Sequence, residues 1–293
     1  MKILLTGATG FIGTNFILRL HKKYDIVALV RNDSNIEKIK NYCQYYIYSN
    51  IKDLLVFSKQ EKIDGIVHLA TNWISQHSFN DIDNLVDSNI LFGTYMLELS
   101  KQIDMKFFIN ASTFGSYCNS LKYRPSSLYA AMKKSFEDIM YYYSLTSKCV
   151  YTNILIFNVY GPNDKKPRLF TLLLDALKNN KSLDMSDGRQ IVDYIHVYDV
   201  VSGFDLIIKN LSKNPLFYRD KIFSLKGNER QSLKDLISMF ETIVNKKINI
   251  NWGARLNREL EIIYPWEGGD VLPGWNPCIT LKDGLREVFS QGE

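Results

Sequence analysis

The chain of 293 residues alternates between short apolar runs and longer stretches in which apolar residues recur every three or four positions. The short runs are typical of buried strands, and the longer stretches predict helices with one apolar face. Strands are predicted at Lys2–Thr6, Asp25–Val30, Tyr45–Tyr48, Gly65–Leu69, Lys106–Ala111 and Tyr151–Phe157. Helices are predicted between them, notably over Asp83–Gln102 and Leu128–Ser147. This alternation predicts an α/β fold built on a parallel sheet that helices cover on both faces.

The alternation changes after Gly161-Pro162. A helix at Leu169–Asn179 precedes a short strand at Gln190–Ile195 and a helix from Val197, and the remainder is irregular and rich in aromatic residues. We expect a first domain over residues 1–165, to which residues 188–210 return. Residues 166–187 and 211–293 are expected to form a smaller mixed α/β lobe that binds the substrate.

Three glycines separate the first predicted strand from the first helix. Gly7 permits a tight turn, Gly10 lets the backbone approach a pyrophosphate, and Gly13 lets the helix pack on the strand. The free N–H groups of the helix end then face the phosphates. The sequence therefore predicts a Rossmann-type, doubly wound domain. Its dinucleotide is expected to contact Gly7, Thr9, Gly10, Phe11, Ile12 and Gly13.

Two further features supply chemistry. Tyr129 and Lys133 are one helical turn apart, so they share a helix face, and the lysine charge is expected to lower the pKa of the phenol. Ser112 and Thr113 directly follow the strand predicted at Lys106–Ala111. In a parallel sheet that end is the ligand-binding edge, so these four residues are candidates for one catalytic site.

The motifs together resemble the extended short-chain dehydrogenase/reductase family, in the branch that acts on nucleotide-activated sugars. The resemblance covers nearly the whole chain, and the C-terminal part is most similar to that of nucleotide-sugar 4-ketoreductases such as the CDP-paratose and CDP-abequose synthases. The motifs that carry it are Gly7-Ala-Thr-Gly-Phe-Ile-Gly13, His68-Leu-Ala-Thr71, Asn89, Ser112-Thr113, Tyr129 with Lys133, Asn158-Val-Tyr-Gly-Pro162, Asp193-Tyr-Ile-His-Val197 and Leu272-Pro-Gly-Trp-Asn-Pro277.

The resemblance implies a role for each matching position. Tyr129 would exchange a proton with the sugar oxygen, and Lys133 would hold the nicotinamide ribose and tune Tyr129. Thr113 would hydrogen-bond the reacting oxygen, with Ser112 as the fallback for that role. Leu69, Ala70 and Thr71 would contact the cofactor, and Asn158 would contact the sugar diphosphate. Helices 83–102 and 128–147 would form a homodimer interface.

The residues near Thr113 indicate which of the reactions of this family are disfavoured. Phe114 and Gly115 follow it, and neither can transfer a proton, which disfavours dehydration. Bifunctional epimerase/reductases resembling this chain use a cysteine where Gly115 stands, and a histidine in the loop after the Gly-Pro turn. The loop after Pro162 has no histidine, so ring epimerisation is also disfavoured.

The end of the second predicted strand indicates which cofactor is used. Arg31 stands where an aspartate or glutamate would bind the free ribose hydroxyls of NAD, and a guanidinium suits a 2′-phosphate. Asn32, Ser34 and Lys38 could add donors. The expected cofactor is therefore NADP, used as NADPH.

The substrate contacts are less defined. Trp73 and His77 lie in a loop that could line the sugar pocket, although a loop histidine is more often solvated or structural. Relatives often have an arginine at the position of Val192. Another arginine must therefore bind the diphosphate here, and the candidates are Arg168, Arg189, or Arg255 and Arg258. The sequence does not decide between them. His68 and His196 lie in apolar segments and are predicted to be packed core residues.

We therefore expect an NADPH-dependent C4 reductase of a nucleotide-linked 4-keto-6-deoxy or 3,6-dideoxy sugar, serving a surface polysaccharide such as a capsule or O-antigen. One alternative is an NAD-dependent nucleotide-sugar 4-epimerase. Another is a catalytically inactive NADP-sensing regulator, which the Tyr129 and Lys133 pair disfavours. The nucleotide base, the carbon count of the sugar and the C4 stereochemistry stay open.

Composition excludes other classes of function. The net charge of +5 comes from scattered lysines, which disfavours nucleic acid as a partner, and no apolar run is long enough to span a bilayer. The four cysteines are far apart and lack metal-type spacing. We interpret them as reduced thiols of a cytoplasmic protein without a metal site. Apolar residues of the two long helices could serve either a dimer interface or the core: Leu91, Met96, Leu97, Leu99, Met140 and Tyr143.

Overall fold

The computed structural model describes residues 1–164 and 166–290. Its strands are β1 Lys2–Thr6, β2 Asp25–Val30, β3 Gln44–Ile47, β4 Gly65–His68, β5 Phe107–Thr113, β6 Val150–Ile156, β7 Asn158–Tyr160, β8 Leu183–Met185, β9 Ile191–His196, β10 Ile222–Leu225, β11 Arg230–Ser232 and β12 Ile250–Trp252. Its helices are α1 Phe11–Leu20, α2 Ile51–Gln60, α3 Ile82–Val86, α4 Phe92–Gln102, α5 Leu128–Thr146, α6 Leu169–Asn179, α7 Val197–Leu211, α8 Pro215–Tyr218, α9 Leu233–Val244 and α10 Leu281–Ser290.

Seven strands form one parallel sheet in the order β10-β6-β5-β4-β1-β2-β3. The order reverses direction at β1, so α1 and the loops after β4 and β5 meet at one edge of the sheet. On one face α1 packs against α7, with Phe16 edge-on to Phe204. On the other face α4 packs against α5, and Phe136 lies against Phe108. The predicted α/β fold with a doubly wound parallel sheet is confirmed.

Two small sheets and three helices form a separate layer. The sheets have the orders β11-β9-β7 and β12-β8. Helices α6, α9 and α10 enclose an apolar core there, which includes the fully buried Leu173, Phe240 and Leu285. This layer corresponds to the smaller mixed α/β lobe that the sequence predicts.

The division between the two parts differs from the predicted one at two strands. Strand β10, predicted to belong to the lobe, is the outermost strand of the main sheet, because all seven residues of β6 are buried and need a partner on that side. Strand β9, predicted to return to the first domain, instead pairs with β7 and β11 in the lobe. Only the helix that follows it, α7, packs back against α1.

The helix predicted over residues 83–102 is interrupted. Helix α3 passes into a π-helical turn over Asp87–Leu91 before α4 begins. The buried Asn89 lies in this turn, and its side chain bonds to the backbone oxygens of Leu85 and Asn72. A π turn adds one residue per turn, which aims this amide toward the loop after β4.

The helices α4 and α5 carry two sets of apolar residues. Five of the six named from the sequence are buried in the intramolecular core, namely Met96, Leu97, Leu99, Met140 and Tyr143. Leu91, in the π turn before α4, is exposed, and α4 and α5 also expose Tyr95, Tyr141, Tyr142 and Leu145. The core alternative is therefore correct for those five, and a separate exposed set remains on these helices.

Within the described residues, we find no helix that is both long and apolar enough to cross a membrane.

Candidate active site

The glycine turn between β1 and α1 has the predicted backbone geometry. Gly7 has a φ of +66°, which favours glycine, and a Cβ there would lie 2.6 Å from backbone atoms of Leu69 and Ala70. A Cβ on Gly13 would lie 2.2 Å from the Gly7 carbonyl oxygen. Gly10 precedes α1 without a side-chain cap, is exposed, and is followed by no acidic residue in the first turn. The helix end is thus open to an anion.

The loop after β4 is fixed to β1 by one hydroxyl. Thr6 Oγ1 accepts hydrogen bonds from the backbone N–H groups of Leu69 and Ala70, both at 3.1 Å, and lies 2.9 Å from His68 Nδ1. His68 is buried among aromatic rings, and burial lowers its pKa to about 3, so the ring is neutral. The expectation that His68 is a packed core residue is correct. The loop is therefore held beside the glycine turn.

Thr71 continues this loop at the surface of the cleft. Its hydroxyl donates a 2.6 Å hydrogen bond to Asn89 Oδ1, which also accepts from the backbone N–H of Asn72 at 3.3 Å. The Thr71 hydroxyl also acts to lower the pKa of Tyr129, so the residue expected at the cofactor lies near the candidate acid. The π turn that carries Asn89 thus fixes the orientation of a hydroxyl next to Tyr129.

Strand β5 extends to Thr113, two residues beyond its predicted end. Thr113 Oγ1 accepts the backbone N–H of Gly115 at 3.1 Å, so the hydroxyl proton remains free to donate to a ligand. The Phe114 ring is buried and stacked on Phe157, with centroids 4.5 Å apart. Neither Phe114 nor Gly115 places an acid at this strand end.

Helix α5 carries Tyr129 and Lys133 near its N-terminal end. Ser127 caps this helix by accepting the backbone N–H of Ala130 at 3.2 Å, which fixes where the helix begins. Tyr129 and Lys133 are both buried, with 9% and 2% of their surface exposed. The Lys133 ammonium lies 3.5 Å from Asn110 Oδ1.

The predicted lowering of the tyrosine pKa by Lys133 is wrong for the protein alone. Burial raises the pKa of Tyr129, and the groups that oppose this rise are the Thr71 hydrogen bond and the Arg168 charge. Burial also lowers the pKa of Lys133 to about 8, while the negative charge of Glu137 acts to raise it. Sequence spacing shows which side chains share a helix face, but it does not show how far burial penalises their charged forms.

Arg168 stands at the opening of the cleft, immediately before α6. Its guanidinium carbon lies 5.7 Å from the Phe11 ring and 5.9 Å from the Trp73 ring, both within range of a cation–π interaction. One guanidinium nitrogen lies 3.5 Å from Asp164 Oδ2. Three residues named from the sequence, at the start of α1, in the loop after β4 and in the segment before α6, therefore meet around the Arg168 guanidinium.

The other predicted substrate contacts separate into two groups. A cavity of about 160 Å³ lies between α6 and β8, and its lining includes Gln190, Arg255 and Arg258. The Arg258 Nε is buried and lacks a hydrogen-bond partner among the described residues. Arg189, in contrast, is exposed and pairs with Asp187 in its own loop at 2.6 Å.

Asn158, His77 and His196 occupy different surroundings. Asn158 begins β7, and its amide donates to the Asp193 carbonyl oxygen at 3.1 Å, which leaves its own carbonyl oxygen available. His77 is exposed in the loop that leads to α3, near Asp81. His196 is buried, and burial lowers its pKa to about 4, as expected of a packed histidine.

At the end of β2, Arg31 and Asn32 are exposed, as a cofactor site requires. Arg31 Nε lies 3.4 Å from Asp33 Oδ1, and the Arg31 backbone N–H donates to Ser34 Oγ at 3.0 Å. Lys38, expected as a further donor, instead donates to Asn163 Oδ1 at 2.5 Å. The Arg31 guanidinium is therefore the cationic group of this segment that is most open to a ligand.

Known proteins with similar sequence and structure share this arrangement of elements. The profile described as "NAD dependent epimerase/dehydratase family" matches residues 3–217. The chain belongs to this family. It is 30% identical over 298 residues to the CDP-abequose synthase of Salmonella muenchen, covering 100% of this chain and 98% of the relative. It is 24% identical to the CDP-abequose synthase of Yersinia pseudotuberculosis, covering 89% and 90%.

A solved structure extends the likeness to three dimensions. The fold is similar to that of UDP-glucuronic acid 4-epimerase from Bacillus cereus in complex with UDP-glucuronic acid and NAD, with a TM-score of 0.86 and 25% identity. That match covers 100% of this chain and 99% of the solved chain. The predicted resemblance to the epimerase/dehydratase family is confirmed.

Sequence analysis missed part of the site in this family member. Glu137 is buried and accepts a hydrogen bond from Ser112, and Asn110 contacts Lys133 and donates to Asn153 Oδ1 at 2.8 Å. Glu137 is one further turn along the helix face of Tyr129 and Lys133, and this spacing could have identified it. Asn110 lies within an apolar strand and gives no comparable signal.

Proposed function

We propose that the protein is an NADPH-dependent reductase that converts a nucleotide-linked 4-keto-6-deoxy or 3,6-dideoxy sugar to its C4 alcohol. The observation that carries the proposal is the end of β5, where Thr113 offers a hydroxyl proton while Phe114 and Gly115 supply no acid or base. Dehydration needs such a group next to the catalytic hydroxyl, and carbonyl reduction does not. The 30% sequence identity with the CDP-abequose synthase of Salmonella muenchen, which extends along the whole chain, supports the same class of substrate.

The residues fit a nicotinamide dinucleotide. The uncapped end of α1 and the close packing around Gly7 and Gly13 form a cradle for a pyrophosphate. Arg31, exposed beyond β2, would pair with a 2′-phosphate, and Asn32 would add a donor. Thr9, Phe11, Ile12, Leu69, Ala70 and Thr71 would complete the contacts along the edge of the sheet.

The chemistry would divide among three residues. When bound, a nicotinamide cofactor would supply the hydride that the carbonyl carbon accepts. Tyr129 then donates its phenolic proton to the oxygen as negative charge develops there, and Thr113 donates a hydrogen bond to the same oxygen. Lys133 would hold the ribose. Because burial keeps Tyr129 protonated in the protein alone, it is ready to act as an acid in the reducing direction.

The nucleotide diphosphate would occupy the cavity between α6 and β8. The unpaired Arg258 Nε favours Arg258 for the phosphates, with Arg255 beside it, while the Asp187 pair disfavours Arg189. Arg168 and Trp73 would contact the sugar at the cleft opening, together with Asn158 and, from the exposed loop, His77. The small layer around α6, α9 and α10 would therefore be the substrate lobe.

An NAD-dependent 4-epimerase is the second candidate. The likeness to UDP-glucuronic acid 4-epimerase favours it, because that enzyme shares the fold over the whole chain. Arg31 stands against it, since a cation at this position does not bind free ribose hydroxyls as a carboxylate would.

The two candidates are separated by cofactor use. The purified protein would be denatured to identify any retained dinucleotide, and then assayed for NADPH consumption with CDP-, GDP- and dTDP-linked 4-keto sugars. A reductase requires added NADPH and consumes one NADPH for each sugar molecule that it reduces. Retained NAD, with sugar conversion and no net NADPH consumption, would instead indicate an epimerase.

We also propose that the protein is a homodimer through α4 and α5. The exposed Tyr95, Tyr141, Tyr142 and Leu145 form the apolar surface of these helices that the core leaves uncovered. Light scattering on the purified protein gives the mass that tests this assembly.

A further inference from the structure

Glu137 is a buried carboxylate that the proposed reaction does not use. Only 6% of its surface is exposed, and its partner is the Ser112 hydroxyl, which donates a hydrogen bond to Glu137 Oε1. This bond occupies the residue that the sequence left as the fallback for Thr113. Burying an ionisable side chain beside a catalytic lysine is costly, so its surroundings require an explanation.

Two polar contacts join one face of β5 to one face of α5. Asn110 and Ser112 are two residues apart on the strand and point to the same side of the sheet. Lys133 and Glu137 are one turn apart on the helix. Asn110 contacts Lys133, and Ser112 contacts Glu137, so the strand and helix are matched at two successive points. Since Thr113 follows Ser112, this matching also sets Thr113 relative to the helix that carries Tyr129.

Burial raises the pKa of Glu137, while the Ser112 hydrogen bond and the charges of Lys134 and Lys133 act to lower it. In its ionised form, Glu137 acts on Lys133. Burial lowers the pKa of Lys133 to about 8, and Glu137 is the group that opposes this effect. The other ionisable groups around this pair are neutral or bound elsewhere among the described residues. His68 from β4 is neutral, and burial raises the pKa of Tyr117, which follows β5, so this phenol is neutral as well. Glu98 from α4 accepts a hydrogen bond from Tyr143, and Asp138 pairs with Lys134 at the surface of α5.

We propose that Glu137 is a positioning residue of the active site: its bond to Ser112 fixes α5 against the end of β5, and its negative charge keeps the Lys133 ammonium charged. Ser112 is then a positioning residue as well, and Thr113 alone supplies the hydroxyl for the substrate. The activity readout of this inference rests on the proposed reductase function, whereas the titration of Lys133 does not.

The main test compares Glu137→Gln with Asp138→Asn. The first variant removes the buried charge but keeps an oxygen that can accept from Ser112, and the second makes the same change at the neighbouring exposed carboxylate. At an effective dielectric constant of about 20, a charge one helical turn away shifts a pKa by roughly one to two units. We expect the alkaline limb of the kcat/KM profile to move down by that amount in Glu137→Gln and to stay in place in Asp138→Asn.

The pH dependence separates this role from a merely structural one. Below about pH 5, Lys133 is protonated with or without Glu137, so the activity of Glu137→Gln should approach that of the wild type there. A loss by the same factor at every pH would overturn the proposal. Ser112→Ala keeps the Glu137 carboxyl but removes the hydrogen bond that lowers its pKa. It should lower kcat several-fold while its alkaline limb stays above that of Glu137→Gln, and Glu137→Asp should keep the limb in place.

Titration of Lys133 by NMR tests the charge effect without any substrate. The protein labelled with ¹³Cε-lysine would be titrated, with Lys133→Met used to assign the signal. We expect a lower Lys133 pKa in Glu137→Gln than in the wild type and Asp138→Asn, and an equal pKa in all three would overturn the proposal. If Glu137→Gln does not fold, a wild-type Lys133 pKa below 7 would overturn it. If no keto sugar is reduced by the wild type, the proposed function fails while this titration still decides the role of Glu137.

Discussion

Replacing Arg31 by alanine tests the choice of cofactor. The Arg31 side chain is 80% exposed, and Asp33 is its ion-pair partner at 3.4 Å. Exposed pairs of this kind contribute less than about 1 kcal/mol, so a 2′-phosphate displaces the carboxylate at little cost. The replacement should therefore remove an interaction with the cofactor and leave the fold intact.

The size of the effect follows from the chemistry of the guanidinium. A hydrogen bond to a charged group contributes about 1.5–3 kcal/mol, and an arginine fork can make two such bonds to one phosphate. Allowing for exposure to solvent, a net loss of about 2 kcal/mol corresponds to roughly a 30-fold weaker affinity for NADPH. NADH lacks the 2′-phosphate, so its affinity should change by less than about threefold.

The assay is a fluorescence titration of each protein with NADPH and NADH at fixed ionic strength. Asp33→Asn is the matched variant, because it frees Arg31 from its partner and should strengthen NADPH binding slightly. Equal weakening of both cofactors in Arg31→Ala, or a wild type that binds NADH as tightly as NADPH, would refute the assignment of Arg31 to a 2′-phosphate.

Three further outcomes are expected. Tyr129→Phe should lower kcat by about 10²–10⁴-fold, as expected for loss of a general acid, while NADPH binding in the titration stays within about threefold, and unchanged turnover would exclude Tyr129 as the acid. Because the folded pKa of Lys133 is lowered from 10.5 to about 8, the folded chain loses this proton first as pH rises, and the cost of burying the charge fades between those values. In urea denaturation the wild type should therefore gain stability relative to Lys133→Met from pH 8 toward 10.5, and a difference constant with pH would contradict the lowered pKa. The double variant Tyr141→Glu with Leu145→Glu should sediment as a monomer in analytical ultracentrifugation. The control variant Leu216→Glu, at an exposed position on α8, should keep the wild-type mass. A dimeric double variant would rule out the α4–α5 interface.

The first strand, the glycine turn and the first helix were predictable because their signals are local. The run Lys2–Thr6 and the positions of Gly7 and Gly13 each depend on neighbouring residues only, and the bounds of β1 and β2 match the prediction. The matching helix bounds of α6 likewise follow from its own apolar periodicity.

Features that depend on distant residues were not predictable in this way. Strand β10 has only four residues, and it joins the main sheet because β6 needs a partner on its outer side. The π turn at Asn89 interrupts a regular apolar periodicity because its amide bonds to the loop after β4. A contact between segments far apart in sequence decides both.

The candidate site shows the same division. The sequence identified Tyr129, Lys133 and Thr113 from spacing and strand ends. It did not show that Ser112 is bound to Glu137, nor that burial reverses the expected direction of the Tyr129 pKa. Those facts depend on which groups the fold brings together and how much water it removes around them.

The reaction itself is tested most directly by following the transferred hydrogen. The protein would be incubated with NADPH deuterated at C4 of the nicotinamide and a CDP-linked 4-keto-6-deoxy sugar, and the product examined by NMR and mass spectrometry. The account predicts one deuterium at C4 of the product sugar and one NADP⁺ formed for each sugar reduced. Conversion to a C4 epimer without deuterium and without NADP⁺ formation would contradict it.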